Sequence, residues 1–455
     1  MSIKKILSII LCVAMVLTTV MSLAACVVEP PVEETESPTE ASGSNEVLNV
    51  PTSSATKKPS SSKKPSSEAE GDYDLDKFDL AKYISPIWAG EISYAESAFV
   101  REAEDGKVAP ISLLYPIDEV ISVRSADLKT LYVNGEDYYI DDGKIVIIPD
   151  GNIPILAYED YIFDDSENRQ TSAAGGTPIN VYGQADKKFV YGEITSSNGG
   201  MSHWVIAVTY KHSAECILNV PENKSSEFKN FIDKLEAGQD VNIVSIGDSI
   251  TEGWSSSGVK GKKDPFCPPY NQMVANYIQS VYTSSTVTFK NLGVSGTTTT
   301  QGMAAELLNK ICENEPDLVM IAYGMNDGCS LTPATYVSQL NTIIEYLNAE
   351  YPDVCIVVVG TSLPNPEFAW DENGTNRCLK YHDQYPAALA EKEVSWAEDY
   401  NVGVADVTTM NIEMYERKVY QDLTGSNSNH PNDYMHRVYA QVILQTIFGN
   451  LTPLA

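Results

Sequence analysis

The sequence predicts an α/β chain in which a C-terminal doubly wound α/β/α parallel-sheet domain is preceded by an all-β domain of the sandwich or jelly-roll type. Three observations carry that reading. From about Ser225 onward, apolar runs of strand length alternate with helical stretches, the pattern of strands joined by crossover helices. Between residues 72 and 222 short runs are separated by turn dipeptides, with no helical period between them. The whole chain, 455 residues, exceeds one ordinary core, so two folded domains with non-globular segments are expected.

The first segment, 1–26, places Lys4 and Lys5 before the apolar run Ile6 to Val20 and closes with Leu23-Ala24-Ala25-Cys26. That order marks a secretory signal. Its LAAC end resembles the bacterial lipobox, which implies lipidation at Cys26 and an exported chain anchored on the outer face of the cell membrane. Residues 27–71, including KKPSSSKKPSS, hold almost no large apolar side chain and read as a disordered tether.

In the β domain, 72–222, strands are expected at Ile111–Tyr115, Val120–Ser125, Leu131–Val133, Lys144–Ile148 and Trp204–Tyr210. Asn134-Gly135, Asp142-Gly143 and Asp150-Gly151 mark turns. In the domain 223–455, a helix over Ser226–Ala237 precedes strands at Val241–Gly247, Val287–Val294, Leu318–Gly324, Cys355–Gly360 and Val402–Val407. Helices are expected at Pro269–Tyr282, Met303–Glu313, Pro333–Glu350 and Ala387–Tyr400. In such a sheet, ligands bind beyond the carboxyl ends of the strands.

Composition narrows the partners. The formal charge is −31, and loss of Lys4 and Lys5 with the signal leaves 29 basic against 62 acidic residues, or −33. Nucleic acid is excluded as a partner on that field, and membrane attachment must come from the lipid anchor alone. Beyond Cys12 and Cys26 the cysteines are Cys216, Cys267, Cys312, Cys329, Cys355 and Cys378, none in a CxxC pair. The five histidines show no metal-ligand spacing. No metal and no cofactor are expected, and the chain is expected to be a monomer.

The chemistry-bearing residues stand at the predicted strand ends: Gly247-Asp248-Ser249, Asn291-Leu292-Gly293, Gly324-Met325-Asn326-Asp327 and His430-Pro431-Asn432. With GDSITEG, GMND and HPND in that order, the segment from Val241 to the end resembles the SGNH hydrolases, also called GDSL esterases, whose sheet is flavodoxin-like. The resemblance implies Ser249 as nucleophile, His430 as base, and an oxyanion hole from the N–H groups of Ser249 and Gly293 with the Asn326 amide. His436 is expected to pack or to orient its own segment.

One position departs from the family pattern. The aspartate expected three residues before the histidine is replaced by Asn427. Three answers are open: a Ser–His dyad oriented by a neutral carbonyl, which we prefer; another acid such as Asp422 or Asp406; or a weakened site. The two-part layout is most similar to the family 2 carbohydrate esterases. It implies removal of O-acetyl groups from polysaccharide, xylan or another plant glycan first, with peptidoglycan and sialic-acid O-acetyl groups as competitors. Trp254, Tyr270 and Trp370 are the aromatic residues expected to line a sugar-binding cleft. The rival reading is a catalytically weakened glycan-binding surface lipoprotein.

Overall fold

A computed structural model describes residues 79–452, so the expected signal, the Cys26 lipobox and the tether lie outside the described residues. The described residues all belong to one compact unit, Glu68–Ala455.

The C-terminal half is built on a five-stranded parallel sheet. Its spatial order is Val287–Asn291, Val241–Gly247, Leu318–Ala322, Cys355–Val359 and Val402–Ala405, so the first two strands in the chain exchange places. The strands Leu318–Ala322, Cys355–Val359 and Val402–Ala405 are buried at every residue, as expected for a parallel sheet covered on both faces. On one face Val244, Ile321 and Val358 pack with Leu340, Ile344 and Trp396 from the helices Pro333–Glu350 and Tyr385–Asp399. On the other, Ile243, Met320 and Val357 pack with Met273, Ile278 and Val442 from the helices Tyr270–Val281 and Asp433–Phe448.

In the N-terminal half, the strands Ile92–Phe99, Val205–Lys211, Glu119–Ser125 and Leu131–Tyr132 form an antiparallel sheet in that order. A second sheet joins Ile179–Val181, Gln184–Phe189 and Ile162–Asp164. Its fourth strand, Phe368–Ala369, comes from the C-terminal half and pairs with Ile179–Val181. Lys144–Ile147 pairs with Tyr138–Asp141 as a hairpin. The expected strand Ile111–Tyr115 is instead an irregular stretch, buried from Leu113 to Tyr115 and bridged only at Ile111 to Ile145.

The two halves share one core: Ile84, Val100, Leu114 and Val123 belong to the same cluster as Ile243, Met273 and Val438. A buried charge network reinforces that junction. Lys418 Nζ lies 2.7 Å from Glu96 Oε1 and 3.7 Å from Asp422 Oδ2, with Lys418 and Glu96 fully enclosed. Glu96 also accepts from Leu114 N at 2.9 Å and Tyr210 Oη at 2.8 Å, and Asp422 Oδ1 accepts from Phe99 N at 2.7 Å. Burial opposes the charge on Lys418, yet Glu96 and Asp422 outweigh it and raise the ammonium's pKa. The segment 418–422, which leads toward His430, is thereby fastened to the edge of the strand Ile92–Phe99.

Removing the cation should leave two buried carboxylates with hydrogen-bond donors but no compensating positive charge. Lys418→Met is expected to destabilise the chain by roughly 3–5 kcal/mol, read as a lower denaturant midpoint. The double change Lys418→Met with Glu96→Gln should recover part of that loss. A Lys418→Met chain as stable as the wild type would contradict this account of the junction.

Candidate active site

The strand Val241–Gly247 ends against the turn that carries Ser249. A Cβ at Gly247 would sit 2.1 Å from Thr251 Oγ1 and 2.3 Å from the Ala322 carbonyl oxygen, so the chain passes there only as glycine. Asp248 then caps the one-turn helix Ser249–Glu252, its Oδ1 accepting from Ile250 N at 2.9 Å. Burial raises the Asp248 carboxyl to about 7. Asp248 therefore shapes the turn that carries Ser249 from a fully enclosed position.

His430 reaches Ser249 from a hairpin-like loop at the far end of the chain. Thr424 bridges Pro431, Gly425 N donates to the His430 carbonyl at 2.9 Å, and Thr424 Oγ1 donates to the same oxygen at 3.0 Å. So held, His430 Nε2 lies 2.9 Å from Ser249 Oγ. Trp254 packs along the imidazole, ring centroids 5.7 Å apart and planes 23° from parallel. The Trp254 carbonyl oxygen lies 3.0 Å from His436 Nε2, and His436 stacks on Tyr270. Burial lowers the pKa of His436 to about 4, so at neutral pH it is an uncharged support for the Trp254 segment.

The other face of His430 is occupied by an acid from the N-terminal half. His430 Nδ1 lies 2.5 Å from Glu193 Oε1, across 237 positions of sequence. Glu193 follows the strand Gln184–Phe189 in a tightly built turn. A Cβ on Gly192 would sit 2.1 Å from the Ala174 carbonyl oxygen, Met201 N donates to Gly192 O at 3.1 Å, and Ser196 N donates to Glu193 O at 2.9 Å. Lys263 Nζ closes the turn from outside, donating to the carbonyls of Ile194 at 3.0 Å and Ser196 at 2.9 Å. Tyr191 Oη donates to Glu193 Oε1 at 3.2 Å and the Ser255 hydroxyl donates to Oε2. Burial alone would raise the Glu193 carboxyl, but the charge of His430 and hydrogen bonds from His430, Ser255 and Tyr191 hold its pKa below the ordinary value.

This contact corrects the expectation of a dyad oriented by a neutral carbonyl. It also displaces the two alternative acids. Asp422 is spent on Phe99 N, Val419 N and Lys418, and Asp406 caps the helix Val407–Met414 through Thr409 N at 2.9 Å. Asn427, at the position of the missing aspartate, has a left-handed backbone with φ 71°. Its Nδ2 donates to the Val190 carbonyl at 2.9 Å, three residues before Glu193. Asparagine tolerates that backbone better than most residues, and its amide supplies the donor that a carboxylate lacks.

The expected oxyanion donors are placed as follows. Gly293 packs against the nucleophile's turn, where an added Cβ would meet Glu252 N at 2.7 Å, but its own N–H donates to Asn291 Oδ1 at 2.9 Å. An oxyanion would have to displace that internal acceptor. Asn326 Nδ2 donates one hydrogen to the Thr297 carbonyl at 2.9 Å, and its second hydrogen is the one chemistry leaves for an oxyanion. Asp327 holds this turn by accepting from Thr299 N at 2.8 Å and Gly324 N at 3.1 Å.

Of the three expected sugar-facing aromatics, Trp254 is half-buried beside His430 and Trp370 is 45% exposed on the loop after the strand Cys355–Val359. Tyr270 is a correction. It is fully buried at the start of the helix Tyr270–Val281, its hydroxyl 2.8 Å from Thr251 Oγ1 and its ring packed on Tyr439, so it supports the Ser249 helix from within the core.

Residues 245–438 match the family model described as "GDSL-like Lipase/Acylhydrolase family". No curated protein matches the chain. Among solved structures, a two-domain esterase active on acetylated mannans, co-crystallised with mannopentaose, is 22% identical over 52% of this chain and 58% of that one, with a TM-score of 0.37. An acetylxylan esterase from Geobacillus stearothermophilus is 22% identical over 48% of this chain and 99% of its own, TM-score 0.36. A member of the lipolytic G-D-S-L family from Veillonella parvula is 18% identical over 45% of this chain and 96% of its own, TM-score 0.32. The chain thus spans 58% of the length of the two-domain esterase. The segment 245–438 that matches the family model carries Ser249, Gly293, Asn326 and His430.

Proposed function

We propose that this chain is a serine carboxylic-ester hydrolase that removes acyl groups, acetyl first, from carbohydrate hydroxyls. The observation that carries the reading is the continuous relay Ser249 Oγ, His430 Nε2, His430 Nδ1, Glu193 Oε1, with contacts of 2.9 and 2.5 Å. Ser249 attacks the ester carbonyl and passes its proton to His430 Nε2. The resulting imidazolium keeps its Nδ1–H on Glu193, whose negative charge stabilises it, and Asn326 offers its second amide hydrogen to the oxyanion. His430 then returns the proton to the departing sugar hydroxyl, and water deacylates Ser249 by the same relay in reverse.

The carbohydrate preference is supported by the site's surroundings. Trp254 forms a half-buried wall beside His430, with Lys260 Nζ 4.9 Å from its ring centroid, and the exposed Trp370 stands edge-on to Phe368 at 4.8 Å. Flat aromatic faces of this kind suit the apolar faces of sugar rings. The weakened glycan-binding reading drew its support from Asn427 alone, and Glu193 supplies the acid that Asn427 does not. An O-acetylated plant glycan, xylan foremost, is the proposed substrate. Peptidoglycan and sialic-acid O-acetyl groups are the alternatives that a substrate panel separates.

Ser249→Ala should reduce turnover of a generic acetyl ester to background. Glu193→Gln, which keeps the shape but not the charge, should lower kcat by roughly 10³–10⁴. Asp406→Asn should keep most of the activity. Full activity in Glu193→Gln, or a loss of Glu193 scale in Asp406→Asn, would overturn the assignment.

We also propose that the mature chain starts at lipidated Cys26 and acts at the outer face of the membrane. Cys26→Ser should release the protein to the medium or leave the precursor uncut. A variant processed and fractionating with membranes like the wild type would contradict this.

A further inference from the structure

Outside the triad, two thiols and an imidazole meet beneath the Asn326 turn. Cys329 closes the short helix Asp327–Cys329 that follows Asn326, and its Sγ lies 3.4 Å from the Sγ of Cys378 on the loop that carries Trp370. His382 Nε2 lies 2.8 Å from the Met325 carbonyl oxygen; because a carbonyl only accepts, the ring proton sits on Nε2. Its Nδ1 is buried and has no hydrogen-bond partner among the described residues. The imidazole lies so close to Gly328 that an added Cβ there would be 2.5 Å from the ring.

Tyr381 N donates to Gly328 O at 2.9 Å, joining the two segments, and Cys378 N donates to Phe368 O at 3.0 Å within the Trp370 loop. The thiols differ in access: Cys329 is partly exposed and Cys378 is fully buried. They also differ in acidity. The hydrogen bond from Cys378, against the opposing effect of burial, lowers the Cys329 thiol below the ordinary thiol value. Burial and the neighbouring Cys329 hold Cys378 well above the ordinary thiol value. A partly exposed thiol 3.4 Å from an enclosed one is the arrangement of an attacking and a resolving cysteine.

We propose that Cys329 and Cys378 form a thiol–disulfide exchange site that a small disulfide such as oxidised glutathione converts to an internal disulfide, tying the Trp370 loop to the Asn326 turn. The Cys329 thiolate attacks one sulfur of the oxidant, whose S–S bond breaks and whose first thiolate leaves, giving a mixed disulfide. Cys378 then attacks Cys329 Sγ, expelling the second thiolate, which takes up the Cys378 proton. Two protein thiols are oxidised, two small thiols are formed, and two electrons pass to the oxidant. The bond closes a loop across 49 positions and fixes covalently two segments now joined by hydrogen bonding and packing.

The test uses the purified mature chain with Cys216→Ser, which removes the exposed free cysteine. After equilibration with oxidised glutathione, non-reducing peptide mapping should find Cys329 joined to Cys378 with no glutathione retained, and the oxidised protein should melt several degrees above its reduced form. Adding Cys378→Ser should trap one glutathione on Cys329 and abolish the melting shift. Adding Cys329→Ser should leave Cys378 unmodified. A pair that stays reduced at every oxidant ratio, a glutathione that persists on Cys329 with Cys378 present, or direct modification of Cys378 would each overturn the proposal.

Discussion

The contact between Glu193 and His430 is the interaction on which the rest of the site depends. A serine hydroxyl is a poor nucleophile until a base takes its proton, and the base works only if its ring is held in one tautomer and its positive charge is compensated. Here the compensating carboxylate does not come from the loop that carries the histidine. It comes from the antiparallel half of the chain, fully enclosed and hydrogen-bonded by Ser255 and Tyr191 as well as by the imidazole. Enclosure would favour the neutral acid, so the imidazole's Nδ1–H and the two hydroxyl donors are what keep Glu193 ionised.

That dependence explains why the two halves are so firmly joined. The segment before His430 is locked to the strand Ile92–Phe99 through Asp422 and Lys418. Asn427 donates to Val190, just ahead of Glu193, and the strand Phe368–Ala369 completes a sheet whose other members are N-terminal. An angstrom of slippage between the halves would break a 2.5 Å contact. The antiparallel half is therefore part of the active-site scaffold, beyond any binding role it has of its own. Isolating the C-terminal half would remove the acid and leave His430 Nδ1 without its carboxylate.

Much of this was legible in the sequence. The five parallel strands fall where the apolar runs stand, because a strand buried on both faces can contain almost nothing else. Ser249 and His430 were visible because each lies in a local motif at a strand or helix end. Glu193 was not, because it sits in an unremarkable Gly-Glu pair with no motif of its own, and the pairing is made only by tertiary packing across 237 positions. The signal was indirect: Asn427, standing where the family keeps an acid, implied that the charge had either been lost or been moved. The short strands Ile162–Asp164 and Ile179–Val181 escaped because three residues are too few to show alternation. Tyr270 stands at the start of the expected helix Pro269–Tyr282, and which face of that helix meets the core is settled only by tertiary packing, which turns the ring inward.

The central claim is that a carboxylate from the antiparallel half shares the Nδ1 proton of the catalytic imidazole. Proton NMR of the intact chain tests it directly, since an Nδ1–H held between imidazolium and carboxylate resonates far downfield of the amide envelope. The account predicts such a resonance in the wild type, absent from His430→Ala and lost or moved sharply upfield in Glu193→Gln. A downfield resonance unchanged in Glu193→Gln would show that another group holds the histidine, and the relay described here would have to be given up.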